Sequence, residues 1–357
     1  MGVEEEAAVL GVLRSGRMAG NGSECAALER ELQSLLGAGH VLAVSSATHA
    51  LELSMQLLGI EGGEVIVPSF TFPSVGSAIL KAGGAIRFCE VREPDLNVDV
   101  DHARSLVGPA TRAIVITHYA GHPQGTDAFS VPVVEDAAHA IGSRVGDRWC
   151  GTIGEFGCLS FHATKNLVAG EGGALLTPNP EAARRARIIR DKGTNRDDFV
   201  AGRVDHYAWV EPGSSMVMPE ISAAILRVQL RKFDRILAER TRVARLYDEG
   251  LADLEREHRI AVVRPVDGGS SSHHIYAVLV NPGGRAAVLA RLAEEGVEAA
   301  SHFVPLHASP YGRTLSGSLS LPRTERLAAS LVRLPIYPGL SDGDVQKVVE
   351  SLRRALG

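Results

Sequence analysis

Short apolar segments alternate with helix-length segments in the first half of this chain, and this alternation restricts its fold more than any other feature. The apolar segments are VLAV (41–44), EVIVP (64–68), IRFCEV (86–91), AIVITH (113–118), VPVVED (131–136), CLSF (158–161) and GALL (173–176). Segments such as ATHALELSMQLLG, SVGSAILKAGG and DVDHARSLV separate several of them. Buried strands alternating with helices predict a mostly parallel sheet covered on both faces. Such sheets bind ligands at the carboxyl ends of their strands.

The second half of the chain has a different character. After a predicted helix at 180–191, the Gly- and charge-containing stretch 193–216 is long for a loop, which is typical of functional or partner-contacting segments. Two helices follow, and beyond about residue 245 the pattern becomes α+β, with HHIYAVLV as a strand and RAAVLARLAEEG and DVQKVVESLRRAL as helices. We therefore expect a large domain over 1–240 and a smaller C-terminal α+β domain over 241–357.

Composition excludes several classes of function. The net charge is −5 and no long basic run occurs, which argues against nucleic acid and against an anionic membrane surface. No apolar run reaches the roughly 18 residues of a transmembrane helix, and the acidic start MGVEEEAAVLGVL does not resemble a signal peptide. The four cysteines show no metal-type spacing, so we expect no metal site and a reducing, cytoplasmic compartment.

Three places in the sequence carry candidate chemistry, and the first is VSSATHALELS (44–54). A predicted strand ends there and a helix begins at once, with Ser46 and Thr48 at its start. Backbone N–H groups, the positive end of the helix dipole and hydroxyl groups together form an anion site. Simple capping of the helix by Ser or Thr is the alternative interpretation.

The second place is VVEDAAHAIGS (133–143), in which a buried strand ends in two acids. A carboxylate in such a position needs a partner, and Asp136 is a better candidate than Glu135 to hold a cationic ring nitrogen, as the Asp partner of a pyridinium does. A structural ion pair or a helix cap is the alternative. His139 follows three residues later and could face the same cleft or be a structural histidine.

The third place is the polar gap in LSFHATKNLVAGEGGALL (159–176), where Lys165 lies between two apolar strands. An amine that acts as a nucleophile must lose its proton, and burial lowers the pKa of lysine. On its own, Lys165 could equally be an exposed turn residue. A phosphate-type helix start, an acid for a ring nitrogen and an amine for a covalent bond are together the parts of a pyridoxal phosphate pocket.

These motifs resemble the DegT/StrS family of sugar-nucleotide aminotransferases, on SSATHALELSMQLLGIEGGEVIVPSFTFPS, VVEDAAHAIGS and GCLSFHATKN…GEGGALLT. The resemblance runs over nearly the whole chain. It implies the aspartate-aminotransferase-like α/β fold (fold type I) with pyridoxal 5'-phosphate (PLP) as cofactor. KGTNRDDFVAGRVDHYAWVEPGSSM (192–216) and SHFVPLHASPYG (301–312) further resemble the branch that aminates carbon 4 of dTDP-4-oxo-6-deoxyglucose.

The resemblance also implies roles for individual residues. Lys165 would bond covalently to the cofactor, Asp136 would hold its pyridine nitrogen, and His139 would lie beside its phenolic oxygen. The other implied cofactor contacts are Phe72 against the ring, Ser46, Ala47, Thr48 and Ser160 at the phosphate, and Ser214 or Ser215 at the phosphate of a neighbouring subunit. His302 and His307 are candidate substrate contacts, with structural loop histidines as the alternative.

The resemblance implies an activity and an assembly as well. L-Glutamate would donate the amino group to a nucleotide-linked 4-oxo-6-deoxy sugar, and the sites would lie between the subunits of a homodimer. Amination at carbon 3 and a catalytically silent regulatory protein are the alternatives, and the intact Lys165 and Asp136 argue against the silent protein. Related PLP dehydratases carry His at the position of Lys165, so this residue also argues against that activity.

Overall fold

The computed structural model describes residues 1–266 and 268–357, and this part of the chain contains thirteen α-helices and twelve β-strands. The helices are α1 (Val3–Ser15), α2 (Ser23–Leu36), α3 (Ala47–Leu58), α4 (Pro73–Lys81), α5 (Val100–Ser105), α6 (Pro180–Arg190), α7 (Arg196–Val200), α8 (Glu220–Arg231), α9 (Phe233–Arg256), α10 (Arg285–Glu294), α11 (Pro310–Ser316), α12 (Pro322–Ser330) and α13 (Asp342–Leu356). The strands are β1 (His40–Val44), β2 (Glu64–Pro68), β3 (Ala85–Cys89), β4 (Thr111–Thr117), β5 (Val133–Asp136), β6 (Arg144–Val145), β7 (Arg148–Trp149), β8 (Phe156–Ser160), β9 (Gly173–Thr177), β10 (Ala261–Val262), β11 (Tyr276–Leu279) and β12 (Leu331–Leu334).

A seven-stranded sheet in the order β1-β9-β8-β5-β4-β2-β3 forms the centre of the large domain. Each of the seven apolar segments of the first half contributes one strand, as predicted. The neighbours from β8 to β3 are parallel, whereas β9 runs antiparallel to both β1 and β8. The prediction of a mostly parallel sheet is therefore confirmed, and the direction of β9 is the exception.

Helices cover both faces of this sheet because its strands are apolar on both sides. Along β1, Leu42 and Val44 pack in the core with α3, α4 and α6, while Val41 and Ala43 pack in a second core with α2 and α8. Successive side chains of a strand point to opposite faces, so one short strand supports two layers of helices.

A three-stranded antiparallel sheet, β10-β11-β12, forms the centre of the small domain. It packs with α10, α13 and the second half of α9 around a core of its own. The sequence indicated β11, α10 and α13. It did not indicate β12, where an arginine interrupts a run of only four residues.

One helix, α9, belongs to both cores. Phe233 and Ile236 at its start pack in the large domain, whereas Val243 and the residues after it pack in the small one. The predicted boundary at residue 240 therefore falls inside a continuous helix. A further apolar cluster joins residues from both domains, among them Phe70 and Ile275.

The strand ends decide where a ligand can bind. Because β9 is antiparallel to both of its neighbours, β1 runs parallel to β8, so the carboxyl ends of β1, β2, β4, β5 and β8 lie at one edge of the sheet. Helix α3 begins at this edge, after β1. The loop 161–172, which joins β8 to β9 and contains Lys165, begins there too. Along the described ranges, no helix is long and apolar enough to cross a membrane.

Candidate active site

A cavity of about 470 Å³ lies at this edge of the sheet, between the large domain and the small one. Its walls combine the strand ends, the start of α3, the β8–β9 loop and three residues from the small domain beyond residue 300. The lining residues are Ser46, Ala47, Thr48, Phe72, Ser74, Thr117, Asp136, Ala138, His139, Ser160, His162, Thr164, Lys165, Glu171, His274, His302, Phe303 and Arg333.

The cavity brings together most of the residues singled out from the sequence. Those lining it are Ser46, Ala47, Thr48, Phe72, Asp136, His139, Ser160, Lys165 and His302. Three do not line it, namely Ser214, Ser215 and His307. These residues come from segments that are far apart in the chain, and the fold brings them together around one cavity.

The start of α3 has the geometry of an anion site and of a helix cap at once. The Ser46 Oγ accepts a hydrogen bond from the His49 N–H at 3.2 Å, so Ser46 caps the helix. The first N–H groups of a helix have no partner within the helix, and those of Ala47 and Thr48 lie at the cavity wall. Gly173, at the start of β9, packs so closely here that an added Cβ would lie 2.4 Å from the Ser46 carbonyl carbon.

Asp136 ends β5 with its carboxyl group at the cavity wall. It is 5% exposed and accepts one hydrogen bond, from the Ala138 N–H at 3.2 Å. Burial raises the pKa of Asp136, while the Ala138 N–H and the charge of Lys165 act in the opposite direction. The described residues give this carboxylate no contacting cation, so it can accept a cation from a ligand.

Lys165 lies in the β8–β9 loop, whose base is held by three backbone hydrogen bonds. Phe161 N donates to Gly172 O at 2.9 Å, Ala163 N to Gly170 O at 2.9 Å and Ala169 N to Phe161 O at 2.8 Å. Burial lowers the pKa of Lys165 to about 8; the charge of Asp136 opposes this change and that of Arg333 adds to it. A substantial fraction of the Lys165 amine is therefore neutral near pH 8 and able to react.

Two histidines form a neutral wall beside Lys165. The rings of His139 and His274 lie 4.5 Å apart between centroids, and His274 Nδ1 is 2.9 Å from Asn166 Oδ1. Because Asn166 Nδ2 donates to Ser272 O, its Oδ1 is the acceptor, and His274 Nδ1 carries the proton. Burial first, and then the charge of Lys165, lower the pKa of both rings well below the usual value.

The small domain supplies the opposite wall, and most of it was not predicted. His302 stacks on Phe303, with 4.2 Å between the ring centroids and 9° between the planes, and Arg333 donates a short hydrogen bond to His302 Nε2. Phe72, 56% exposed, lies across from Phe303 at 6.1 Å between centroids. Of these residues, the sequence indicated Phe72 and His302. A charged residue inside an apolar strand was the available signal for Arg333.

His307 and the two serines lie elsewhere. His307 is 2% exposed, with Nδ1 at 2.6 Å from Ser69 Oγ and Nε2 at 3.0 Å from Glu325 Oε1. Both ring nitrogens are thus engaged, and the structural interpretation of His307 replaces the substrate contact. Ser214 and Ser215 are exposed on the single chain, away from its own cavity. Their predicted contact with a neighbouring subunit stays a prediction.

The groups that line the cavity fit PLP. The cavity contains a carboxylate that contacts no cation among the described residues, an amine of lowered pKa, an anion-binding helix start and an exposed aromatic ring. These groups match the ring nitrogen, the aldehyde, the phosphate and the ring face of the cofactor, respectively. Fold and cavity together define a PLP enzyme of fold type I.

Comparison with known proteins gives the family. The model of the DegT/DnrJ/EryC1/StrS aminotransferase family matches residues 1–353. The aminotransferase TlmJ from Streptoalloteichus hindustanus is 35% identical, with a TM-score of 0.91 over 100% of this chain and 96% of its own. DesV of S. venezuelae is 31% identical, with a TM-score of 0.91 over 99% and 94% of the two chains. The sugar aminotransferase CalS13 from Micromonospora echinospora is 28% identical, with a TM-score of 0.90 over 99% of this chain and 97% of its own.

The chain belongs to the DegT/DnrJ/EryC1/StrS aminotransferase family. It is a PLP-dependent aminotransferase, and its structural neighbours act in sugar amination. The family and the fold type that the sequence motifs indicated are thus confirmed.

Proposed function

We propose that this protein transfers the amino group of L-glutamate to carbon 4 of dTDP-4-oxo-6-deoxy-D-glucose, giving a dTDP-4-amino-4,6-dideoxyhexose. The observation that carries the proposal is which segment of the chain forms part of the cavity wall. His302 and Phe303 line the cavity that contains Lys165, and both belong to the segment 301–312, which resembles the branch that aminates carbon 4. The segment that resembles the carbon-4 branch therefore contributes two residues to the wall of the cavity that contains Lys165.

The chain's own residues divide the chemical work. When bound, PLP supplies an electron sink for the negative charge that develops on the substrate carbon. The Asp136 carboxylate would keep the ring nitrogen protonated, His139 would lie beside the phenolic oxygen, and Phe72 would pack against the ring. Ser46, Ala47, Thr48 and Ser160 would hold the phosphate.

Lys165 moves the protons. Its amine would form the covalent bond to the cofactor and, once freed by the donor, would remove the proton from the α carbon of glutamate. In the second half-reaction the same amine would deliver a proton to carbon 4 of the sugar. A pKa of about 8 suits both tasks, because both protonation states are then populated near neutral pH.

We also propose that the working enzyme is a homodimer. Apolar side chains in the segment 196–210 are exposed on the single chain, among them Phe199, Tyr207 and Trp209, which are 45%, 53% and 75% exposed. Exposed apolar groups concentrated in one segment are typical of a protein interface. The same arm continues to Ser214 and Ser215, which would then reach the cofactor phosphate of the second copy.

Replacement of Lys165 tests the chemistry. We expect Lys165→Ala to abolish amination of dTDP-4-oxo-6-deoxyglucose with L-glutamate, since no other lysine lines the described cavity. Lys347→Ala, on the exposed face of α13, is the matched control and should retain full turnover. Retention of full turnover by Lys165→Ala would contradict the assignment. Proton NMR of the wild-type product distinguishes amination at carbon 4 from amination at carbon 3.

A further inference from the structure

Asn166 follows Lys165 directly, and its side chain ties the β8–β9 loop to a distant segment of the chain. Asn166 Nδ2 donates to Ser272 O at 3.0 Å, and His274 Nδ1 donates to Asn166 Oδ1 at 2.9 Å. The other hydrogen bonds of the loop stay within residues 160–172. Among the described residues, these two bonds alone join the loop by hydrogen bonding to another part of the molecule.

The loop turns from solvent into the protein at Lys165. The two residues before Lys165 are exposed, whereas Asn166 and Leu167 after it are buried. Leu167 packs in one core of the large domain, but apolar contacts are not directional. The hydrogen bonds of Asn166 are directional, so they define the course of the backbone on the inner side of Lys165.

Ser272 belongs to a segment that lies just before β11 and is itself held on the large domain. Ser272 N donates to Ser143 Oγ at 3.0 Å, and Ser272 Oγ donates to His139 O at 2.8 Å. The same residue thus contacts the backbone of His139 and the side chain that follows Lys165. Two groups on different walls of the cavity are therefore joined through one hydrogen-bonded unit.

His274 has the tautomer that the link to Asn166 needs. Its Nδ1 carries the proton, so Nε2 carries a lone pair and makes no hydrogen bond among the described residues. Burial lowers the pKa of His274 well below the usual value, and the charge of Lys165 acts in the same direction, so the ring stays neutral. The ring also packs on His139, with 4.5 Å between the centroids. His274 therefore supports Asn166 with one edge and His139 with one face.

We propose that Asn166 and His274 are positioning residues for the Lys165 amine. Their hydrogen bond, with that from Asn166 to Ser272, holds the inward turn of the loop and keeps the amine at the cavity wall. The inference rests on the proposed function in one respect, that Lys165 moves protons in both half-reactions. Both half-reactions should then depend on the link equally, although neither Asn166 nor His274 carries a moving proton.

Titration of Lys165 in the full-length, cofactor-free protein tests the position of the amine without catalysis. Burial is the main cause of its pKa of about 8, so an amine released towards water should titrate higher. For Asn166→Ala we expect the midpoint of modification by trinitrobenzenesulfonate to rise by about one pH unit, as measured by peptide mass spectrometry. Asn281→Ala, which removes an exposed asparagine that also accepts a backbone hydrogen bond, is the matched control and should titrate like wild type.

Two substitutions of His274 separate its two nitrogens. The side-chain amide of His274→Asn can place a donor near the position of Nδ1 and keep the link, whereas that of His274→Gln lies near the position of Nε2 and loses it. We therefore expect His274→Asn to keep the wild-type titration midpoint of Lys165 and His274→Gln to raise it. The double variant Asn166→Ala/His274→Gln should shift no further than Asn166→Ala alone, because both changes break the same link.

Stopped-flow absorbance of the holoenzyme measures the two half-reactions separately, with L-glutamate and with dTDP-4-oxo-6-deoxyglucose. For Asn166→Ala we expect the maximal rates of both to fall by a similar factor, about 10- to 100-fold, since a small misplacement of a reacting group is costly. KM should stay within about threefold of wild type, because no substrate contact is lost. His274→Asn should react like wild type, and His274→Gln should slow both half-reactions.

Several results would overturn the inference. Wild-type titration and rates of Asn166→Ala would do so, as would a lower urea midpoint of this variant with unchanged titration of Lys165, which would make the link purely structural. A loss confined to one half-reaction, or full activity of His274→Gln with a loss in His274→Asn, would instead assign His274 a substrate contact through Nε2. If wild type fails to react with the sugar, the proposed substrate is wrong, yet the titration and the glutamate half-reaction still test the link. If Asn166→Ala does not fold, the two His274 variants supply the same comparison.

Discussion

Glu135 and Asp136 are adjacent carboxylates at the end of β5, but they face opposite sides of the strand and have opposite surroundings. Glu135 is held at 2.7–2.8 Å by His118 Nε2 and by the N–H groups of Gly151, Ile153 and Gly154. Asp136 accepts a single N–H, at 3.2 Å. Both groups are buried, so burial alone cannot explain the difference.

The two pKa shifts express this contrast. Burial raises the pKa of each carboxyl group, but at Glu135 the hydrogen bond and charge of His118 and the surrounding N–H groups outweigh burial and lower it. At Asp136 burial dominates and the pKa stays raised. A carboxylate that forms all its hydrogen bonds within the protein stabilises the fold. A carboxylate at a cavity wall whose oxygens still have room for further hydrogen bonds is available to a ligand.

Replacement of Asp136 should produce the largest effect. We expect Asp136→Asn to lower kcat about 1000-fold, the upper range for loss of one preorganised electrostatic contact, because a neutral amide would not keep the ring nitrogen protonated. Stability should be unchanged or slightly raised, since a poorly paired buried charge is removed. Turnover of the PLP-saturated enzyme and urea unfolding measure the two quantities. A variant that keeps more than about a tenth of wild-type turnover would remove Asp136 from the mechanism.

Replacement of Glu135 should show the reverse pattern. We expect Glu135→Gln to lower the free energy of unfolding by about 3 kcal/mol, since it breaks a buried ion pair and leaves His118 without its anion, while kcat per folded molecule changes less than about fivefold. Because the pKa of Glu135 is lowered on folding, its stabilisation is present above the unfolded value of 4.5 and is lost as pH falls through the folded value. The difference between variant and wild type should therefore shrink in acid. Equal urea midpoints at pH 7 would contradict this.

The smallest expected effect is a change in the titration of Lys165. In the cofactor-free protein, we expect modification of this amine by trinitrobenzenesulfonate to have a midpoint near pH 8, below the ordinary 10.5, because burial lowers the pKa. Asp136→Asn should move the midpoint lower still, since the charge of Asp136 supports the protonated amine. Glu135→Gln should leave it in place. Peptide mass spectrometry reports the modified fraction, and equal shifts in the two variants would refute the contrast between the two carboxylates.

Much of the large domain could be predicted because its signals are local. Each apolar segment formed a strand of the sheet, Asp136 stood out as an acid at a strand end, and Lys165 stood out as a lone amine in the polar gap between two strands. The direction of β9 could not be predicted, because an apolar run such as GALL is equally compatible with either direction. The family resemblance, carried by motifs rather than by periodicity, supplied the roles of Phe72 and Ser160.

The small-domain side of the site was harder to predict because it depends on how distant segments meet. Arg333 reaches the cavity only because β12 pairs with β11 and bridges to Ala300. The local sequence shows a charge within an apolar run but does not show this pairing. His302 and His307 lie in one short segment and seemed equivalent. The fold sends the first to the cavity and the second to Ser69 and Glu325.

The closed base of the β8–β9 loop has an evolutionary consequence. Ser160 and Gly173 pair directly across the antiparallel strands, so the loop that carries Lys165 begins and ends at one place in the sheet. A substitution at residue 165 leaves the three hydrogen bonds at the base intact, since all of them are made by other backbone groups. The side chain at residue 165 can therefore change during evolution, and with it the reactive group, while the backbone hydrogen bonds at the base of the loop stay the same.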